Sequence, residues 1–99
     1  MATLVFMDKK ILKRKLSDEG FTHVYDWRDE PGTTYPPHAH KGKVTFYLTE
    51  GNLVFDFEGE KKEVKAGERF DVPVGKIHSA TVGPNGATYI VGEEIKGDS

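Results

Sequence analysis

This chain is organised around the stretch Gly32-Thr-Thr-Tyr-Pro-Pro-His38-Ala-His40, in which two histidines stand two positions apart. A proline disfavours helical geometry in the residue before it, so the two consecutive prolines favour an extended backbone. Residues i and i+2 of a strand point to the same face, which would place the imidazoles of His38 and His40 side by side. Two imidazoles do not complete a metal shell, so the pair predicts a further ligand from a distant part of the chain.

A second stretch supplies the candidate for that ligand, Gly67-Glu-Arg-Phe-Asp-Val-Pro-Val-Gly-Lys-Ile-His78. Its Pro-Val-Gly segment predicts a turn, and the β-rich segment 77–82 follows. We predict that the chain folds to bring His78 over His38 and His40. Because neutral imidazole is a ligand for several transition metals, we expect a divalent metal ion there, with Fe, Zn, Ni, Cu and Mn left open.

The composition limits the class of protein. Ninety-nine residues suffice for one domain, which we place at 1–99, and the formal net charge of −2 predicts no nucleic-acid partner. The absence of cysteine excludes a disulfide framework and fits a cytoplasmic protein. No apolar run approaches the ~18 residues of a membrane span, and the start of the chain lacks the pattern of a signal peptide. We therefore expect no membrane association.

The first twenty residues predict a short strand followed by one helix. Residues 3–6 are β-rich, and a helix over 9–19 is predicted between Asp8 as N-cap and Gly20 as the residue after the C-cap. A terminal strand can pair with its own copy across a two-fold axis, and small barrels have sheet edges to cover. We therefore expect a homodimer.

Alternating apolar and polar residues predict short strands through the rest of the chain. The clearest pair, 44–49 and 53–57, predicts a hairpin joined at Glu50-Gly51-Asn52. A second hairpin is predicted from 77–82 and 87–91, joined through Gly83-Pro-Asn-Gly86. Further strands are predicted at 21–28, 35–40, 62–65 and 69–72. Eleven glycines and five prolines among these runs are typical of a sandwich or barrel.

The same alternation predicts which side chains line the barrel. Inward positions are predicted for Val44, Phe46, Leu48, Leu53, Phe55, Phe57 and Val82, whereas Thr45 and Thr49 are predicted to face water. The candidates for substrate contact are Tyr35, Phe46, Phe55 and Tyr47. Trp27 and Tyr89 are further aromatic residues that can shape a ligand mouth, and plain core packing is the alternative for all of these. The fourth histidine, His23, lies outside both stretches and is expected outside the site.

The two stretches resemble the two motifs of the cupin superfamily. The first motif runs G-x5-H-x-H-x3-4-E-x6-G, and Gly32, His38, His40 and Gly51 stand at its spacing. The second runs G-x5-P-x-G-x2-H-x3-N, and the second stretch matches it as far as His78. The resemblance implies an all-β, cupin-type double-stranded β-helix, a jelly-roll-like barrel, preceded by a short helix. It also implies that the histidines are metal ligands in the barrel mouth.

Two positions depart from the family pattern. The usual glutamate ligand is replaced at Val44, or by Thr45 if the longer spacing applies, and the closing asparagine is Val82. Valine cannot bind a metal, so the resemblance carries over three ligands and not four. Three protein ligands leave positions open for water and substrate, as in catalytic sites. If Val44 occupies the glutamate position, Val44→Glu is expected to restore a fourth ligand.

These features predict a small metal-binding cupin. The first hypothesis is a metal-dependent enzyme, a dioxygenase or related oxygenase, that acts on a small organic substrate through the three histidines. The alternative is a non-catalytic or isomerase-type cupin that binds a small, sugar-like ligand, and a barrel that has lost its metal is a further reading. Consumption of O2 during turnover separates an oxygenase from an isomerase.

Overall fold

A computed structural model describes residues 8–94 and gives this range one helix and six strands. The helix, α1, is Lys9–Asp18, and the strands are β1 His23–Asp29, β2 Thr34–His38, β3 Val44–Phe57, β4 Glu60–Lys65, β5 Arg69–Val72 and β6 His78–Glu93. With ten residues, α1 is far shorter than a bilayer-spanning helix, and residues 8–94 contain no other helix. The predicted strand 3–6 lies outside the described residues.

All strand pairs are antiparallel, and the two long strands each contribute to two faces of a barrel. The first part of β3 pairs with residues 87–93 of β6, and these segments lie between β5 and β1. The second part of β3 pairs with residues 79–82 of β6, between β4 and β2. The described chain thus forms two four-stranded faces, β1–β6–β3–β5 and β2–β6–β3–β4. This arrangement confirms the predicted all-β, jelly-roll-like barrel with a short N-terminal helix.

The two predicted hairpins are wrong, because each glycine-containing segment bends one continuous strand. Glu50-Gly51-Asn52 lies within β3, and Gly83-Pro-Asn-Gly86 lies within β6. The bends are in contact, since a Cβ added at Gly51 would overlap the backbone carbonyl of Gly86. Both glycines also have positive φ angles, 73° and 78°. Glycine at these two positions lets the paired strands turn together from one face of the barrel to the other.

Helix α1 covers the outer side of the first face. The Asp8 side chain accepts a hydrogen bond from the Lys10 backbone N–H at 2.9 Å, and Gly20, with φ of 102°, follows the C-cap residue Glu19. Leu16 is the buried residue of the helix. A Cβ added at Gly92 would lie 3.1–3.3 Å from side-chain atoms of Phe21, Thr45 and Leu16, so glycine at this position allows the helix to pack closely on the sheet.

The prediction that Thr45 faces water is wrong, because α1 buries the outer face of β3 at this position. Thr45 is 0% exposed. Its hydroxyl accepts a hydrogen bond from Arg69 Nε at 3.1 Å and donates one to the Asp71 carboxyl group at 2.5 Å. The hydroxyl is therefore satisfied within the protein, as a buried polar group has to be.

The core lies between the two faces and confirms the inward positions predicted for β3. Val44, Leu48, Leu53, Phe55 and Phe57 are all buried there, and Phe46 packs against them. Leu48 and Leu53 are separated by an odd number of positions, so a regular strand would point them to opposite faces. The register shifts at the bend of β3, and this irregularity allows both side chains to point inward.

Candidate metal centre

The three candidate ligands come from two neighbouring strands and one loop. His38 is the last residue of β2, His78 is the first residue of β6, and the two are directly paired in the sheet. His40 follows in the loop toward β3, where its carbonyl accepts a hydrogen bond from the Gly75 N–H at 2.9 Å. This bond ties the loop of the first histidine stretch to the Pro-Val-Gly turn of the second.

The structure brings the three histidines together. One ring nitrogen from each of His38, His40 and His78 lies within 4.8 Å of those of the other two. The ring centroid of His38 is 4.8 Å from that of His40 and 4.5 Å from that of His78, and the third separation is 5.2 Å. His78 is only 2% exposed, and the other two rings are half-buried. Their convergence follows from the pairing of β2 with β6.

Backbone carbonyls fix the tautomer of two of the rings. Nδ1 of His38 lies 2.7 Å from the Pro36 carbonyl oxygen, and Nδ1 of His78 lies 3.0 Å from the Lys76 carbonyl oxygen. A carbonyl only accepts, so each Nδ1 must carry the proton and donate it. In the neutral ring, Nε2 then has the lone pair that a metal ligand needs. The same local arrangement, a carbonyl two residues before the histidine, is used in both stretches.

The surroundings of His40 favour its neutral form. Burial lowers the pKa of His40 below the usual 6.5, and the neighbouring His38 and His78 rings lower it further. The charge of Glu93 acts in the opposite direction, as the weakest of these influences. The neutral ring is the ligating form of histidine, so the cluster favours the state that binds a cation near neutral pH.

The donor set fits a divalent transition-metal ion. Neutral imidazole nitrogens are suitable ligands for zinc, copper, iron and nickel ions. Val44, at the position of the family glutamate, is buried and lines a cavity beside the histidines, and Val82 is part of the core. Among residues 8–94, the cluster contains histidines only. The three-histidine cluster is thus compatible with the predicted divalent ion.

A cavity of about 250 Å³ opens beside the histidines. Three of the four candidates for substrate contact, Tyr35, Phe46 and Phe55, line it, and so do Trp27 and Tyr89. The remaining wall is mostly apolar and includes Val44, Leu53, Ala80 and Val91. A concave, largely apolar site with a few polar groups is typical of pockets for small organic molecules.

The fourth candidate, Tyr47, lies on the outer face of β3 and not in the cavity wall. Its hydroxyl accepts a hydrogen bond from Lys15 Nζ at 3.0 Å, and this bond lowers the pKa of Tyr47. The Arg69 guanidinium lies 5.4 Å from the centroid of the Tyr47 ring. The placement follows from strand parity, since Phe46 points inward and its neighbour must point outward. Tyr47 therefore contacts α1.

Asp29 is a buried residue behind the cavity wall that no motif or strand pattern in the sequence indicates. Its carboxyl group accepts hydrogen bonds from Trp27 Nε1 at 2.9 Å, from the Tyr35 hydroxyl at 2.5 Å and from the Tyr89 hydroxyl at 2.6 Å. Burial and the bonds to Asp29 raise the pKa of Tyr35 and of Tyr89, so both phenols stay protonated. The segment Asp29-Glu-Pro-Gly32 has the composition of an exposed turn, which hides the burial of its first residue.

Glu93, at the end of β6, also lines the cavity without any signal in the sequence. The Tyr25 hydroxyl donates a hydrogen bond to Glu93 Oε2 at 2.8 Å. In the register of β3 with β6, Glu93 stands directly opposite Val44. The segment Gly92-Glu-Glu reads as a polar tail, so only the strand pairing reveals where this carboxyl group lies.

The fold and the site together define a jelly-roll barrel with three histidines converging at the wall of an inner cavity. The chain belongs to the cupin family, whose domain matches residues 25–91. This match spans the first histidine pair, the third histidine and most of the β3–β6 pairing. No curated protein is significantly similar to the chain.

Solved cupin structures are similar in fold. An RmlC-like cupin from Shewanella frigidimarina is 26% identical, with a TM-score of 0.62 over 76% of this chain and 68% of that one. KdgF from Halomonas sp. is 22% identical, with a TM-score of 0.61 over 76% of this chain and 70% of that one. The DMSP lyase DddQ from Ruegeria pomeroyi is 19% identical, with a TM-score of 0.65 over 77% of this chain but 39% of that one. The last two likenesses show the fold alone.

Proposed function

We propose that this protein is a metal-dependent enzyme for a small organic substrate, with His38, His40 and His78 as the metal ligands. The observation that carries the proposal is the convergence of three ring nitrogens within 4.8 Å at the wall of an apolar cavity. Three protein ligands leave a position open for water or substrate, as in catalytic zinc sites, and a six-coordinate ion would keep open positions even with a fourth protein ligand.

The cavity offers a substrate two kinds of surroundings. Beside the histidines, a chelating or anionic group of the substrate would be attracted by the bound cation. Phe46 and Phe55 would contact the carbon skeleton and exclude water from it. Tyr35 and Tyr89 each donate their single O–H to Asp29, so their oxygens are left to accept a hydrogen bond from a hydroxyl group of the substrate. A compact organic acid or hydroxy acid matches these features.

We favour an oxygenase-type reaction within this class. When bound, a divalent ion would supply Lewis acidity and, if it is redox-active, the electron transfer that chemistry with O2 requires. The histidine cluster would orient the substrate, and the apolar wall would keep water away from reactive species. These roles need no carboxyl base in the cluster, which fits its three-histidine composition.

A second candidate is an isomerase-type reaction that proceeds without O2. The specific observation in its favour is the pair of phenols, Tyr35 and Tyr89, on one buried carboxyl group beside the cavity. Each phenol donates its single O–H to Asp29, so it could act as a general acid toward a substrate atom only after turning away from that carboxyl group. In this case the cation would polarise the substrate while a tyrosine moved the proton.

Metal content and O2 consumption test the proposal together. Protein without a histidine tag is incubated with Fe²⁺, Zn²⁺, Ni²⁺, Cu²⁺ or Mn²⁺, dialysed and analysed for bound metal; we expect one ion per chain for at least one of them. O2 uptake is then measured with a panel of hydroxy acids, catechols and uronic acids. Turnover with O2 uptake supports the oxygenase, and anaerobic turnover with deuterium exchange from solvent supports the isomerase. Failure to retain any of the five metals contradicts the proposal.

We also propose that the active species is a cytoplasmic homodimer with a small-molecule ligand. Within residues 8–94, strands β1, β5, β2 and β4 lie at the edges of the two faces, and unpaired edges favour association. Light scattering should give twice the chain mass of 11.1 kDa. A mass of one chain at micromolar concentration would contradict the dimer.

A further inference from the structure

We infer that Glu93 is a fourth, carboxyl ligand of the metal site, supplied by β6 in place of the glutamate that the family motif has at position 44. The inference rests on the proposed function, because it requires that the three histidines hold a metal ion. It goes beyond that function by assigning a carboxyl ligand to β6, whereas the family motif has this ligand at position 44 on β3.

The register of the two central strands carries the inference. Val44 and Glu93 are directly opposite each other in the antiparallel pairing of β3 with β6. Opposite residues in such a pair point to the same face, with Cβ atoms about 5 Å apart. Both residues line the cavity that the three histidines also line. A carboxyl group that is lost at position 44 is therefore available one strand away, on the same side of the same sheet.

The hydrogen bonding of Glu93 fits the role of a ligand. The Tyr25 hydroxyl donates a hydrogen bond to Oε2 of Glu93, so the second carboxyl oxygen, Oε1, is available to bind a cation. Burial and the bond to Glu93 raise the pKa of Tyr25, so this phenol remains a donor across the physiological range. Metal-binding carboxyl groups are commonly held in this way by a second hydrogen-bonding group. In the structure Tyr25 holds the carboxyl group outside the histidine cluster, so metal binding would require the flexible Glu93 side chain to turn toward the rings.

This inference changes the outcome expected for Val44→Glu. The family motif predicts that this substitution adds the missing ligand. If Glu93 already fills the role, the substitution instead places two carboxyl groups opposite each other on neighbouring strands, where like charges repel. The single variant should then bind metal no more tightly than the wild type.

The decisive experiment compares Glu93→Gln with Glu94→Gln. Both variants remove one carboxyl group from adjacent positions. Glu94 does not line the cavity that all three histidines line; it lies in a neighbouring pocket beside His40, and its Oε1 is 3.4 Å from the Lys43 backbone nitrogen. Glutamine keeps the size of Glu93 and an oxygen for Tyr25. The dissociation constants of Zn²⁺ and Co²⁺ are measured by chelator competition, and the visible spectrum of bound Co²⁺ reports the ligand set.

We expect Glu93→Gln to weaken Zn²⁺ binding by at least about 100-fold, the upper end of the effect of second-shell changes, and to alter the Co²⁺ spectrum. Glu94→Gln should do neither. The double variant Val44→Glu/Glu93→Gln returns the carboxyl group to the motif position and should recover most of the affinity. If the double variant does not fold, the two single variants, Glu93→Gln and Glu94→Gln, and their spectra decide alone.

The outcomes separate this inference from the proposed function. If the wild type binds no metal, both fail. If the wild type binds metal and Glu93→Gln binds equally well, or if Glu94→Gln weakens binding to the same extent, the inference is overturned while the three-histidine site stands. A folded double variant that binds as weakly as Glu93→Gln also overturns it.

Discussion

Two polar clusters lie at the same cavity, one formed by the three histidines and the other by Asp29 and its aromatic partners. Around Asp29, donors meet an acceptor, since one indole N–H and two phenol hydroxyls point at a single carboxyl group. Around the histidines, the Nδ1 protons of His38 and His78 are given to backbone carbonyls. In neutral His38 and His78 the remaining ring nitrogen is an acceptor, and one nitrogen of each of the three rings lies within 4.8 Å of the others.

This difference distinguishes a polar group that holds the fold from one that binds a ligand. A buried cluster in which donors match acceptors is complete within the protein and stabilises it. A cluster of acceptors gains from a cation, because nothing in the group itself supplies the positive charge. The Asp29 cluster should therefore respond mainly in stability, and the histidine cluster mainly in metal affinity.

The largest effect is expected from His78→Ala. Loss of this imidazole should reduce stoichiometric metal content to background after dialysis, because the ligands that remain form an incomplete site. Far-ultraviolet circular dichroism should show that the barrel stays folded. His23→Ala is the matched control, since His23 is an exposed histidine outside the cluster and its removal should leave metal content unchanged. Metal retained by folded His78→Ala protein would show that His78 is a core residue and not a ligand.

The opposite response is expected from Asp29→Ala. The buried Tyr89 hydroxyl loses its partner, as do the partly buried Tyr35 hydroxyl and the half-exposed Trp27 indole. Because a buried unsatisfied group costs about 1–3 kcal/mol, the free energy of unfolding should fall by roughly 2 kcal/mol or more. Zn²⁺ affinity should change little. Urea denaturation measures the free energy of unfolding, and chelator competition measures the Zn²⁺ affinity.

Asp26→Ala is the control for this change. Asp26 pairs with Lys13 at 2.7 Å on the surface, with 47% of its side chain exposed. The substitution should cost less than about 1 kcal/mol, as is usual for exposed ion pairs. Equal losses of stability in the two variants would contradict the distinction between the clusters.

A smaller effect is expected from pH, and only at the histidine cluster. The pKa of His40 is held below 6.5, mainly by burial, so this ring is neutral at pH 7 and takes up a proton only in more acidic solution. The proton competes with the metal, so affinity is present above this pKa and lost as pH falls through it. We expect the dissociation constant of Zn²⁺ to rise at least about tenfold from pH 7 to pH 5. Affinity that increases on acidification would contradict the role of His40.

The features of the structure that depend on residues close together in the sequence could be predicted. The helix start at Asp8, the inward alternation of β3 and the convergence of the histidine stretches follow from local spacing and from the family pattern. The hairpins could not be distinguished from bends, because the glycines that turn a chain back also let two paired strands bend together. Whether the strands bend or form hairpins depends on the contact of Gly51 with Gly86, and the residues around each glycine do not reveal this long-range contact.

The two carboxyl groups at the cavity escaped prediction for a related reason. Asp29 and Glu93 occur in segments whose composition is that of a turn and of a polar tail. Their positions are set by partners far along the chain, Tyr89 for Asp29 and Tyr25 for Glu93. These partners are brought near by the pairing of β1 with β6.

The continuous pairing of β3 with β6 also determines how the protein must fold. Its paired residues are separated along the chain by 27 positions at Val54 and Thr81 and by 49 at Val44 and Glu93. Topologies dominated by such distant pairs fold in milliseconds to seconds. Large loops must close, at a cost in chain entropy, before the stabilising contacts can form. His78 and Glu93 stand at opposite ends of β6, so the ligand set that we propose would be complete only after the whole pairing has formed. Metal capture would then come last in folding, and a bound ion would slow unfolding without accelerating refolding.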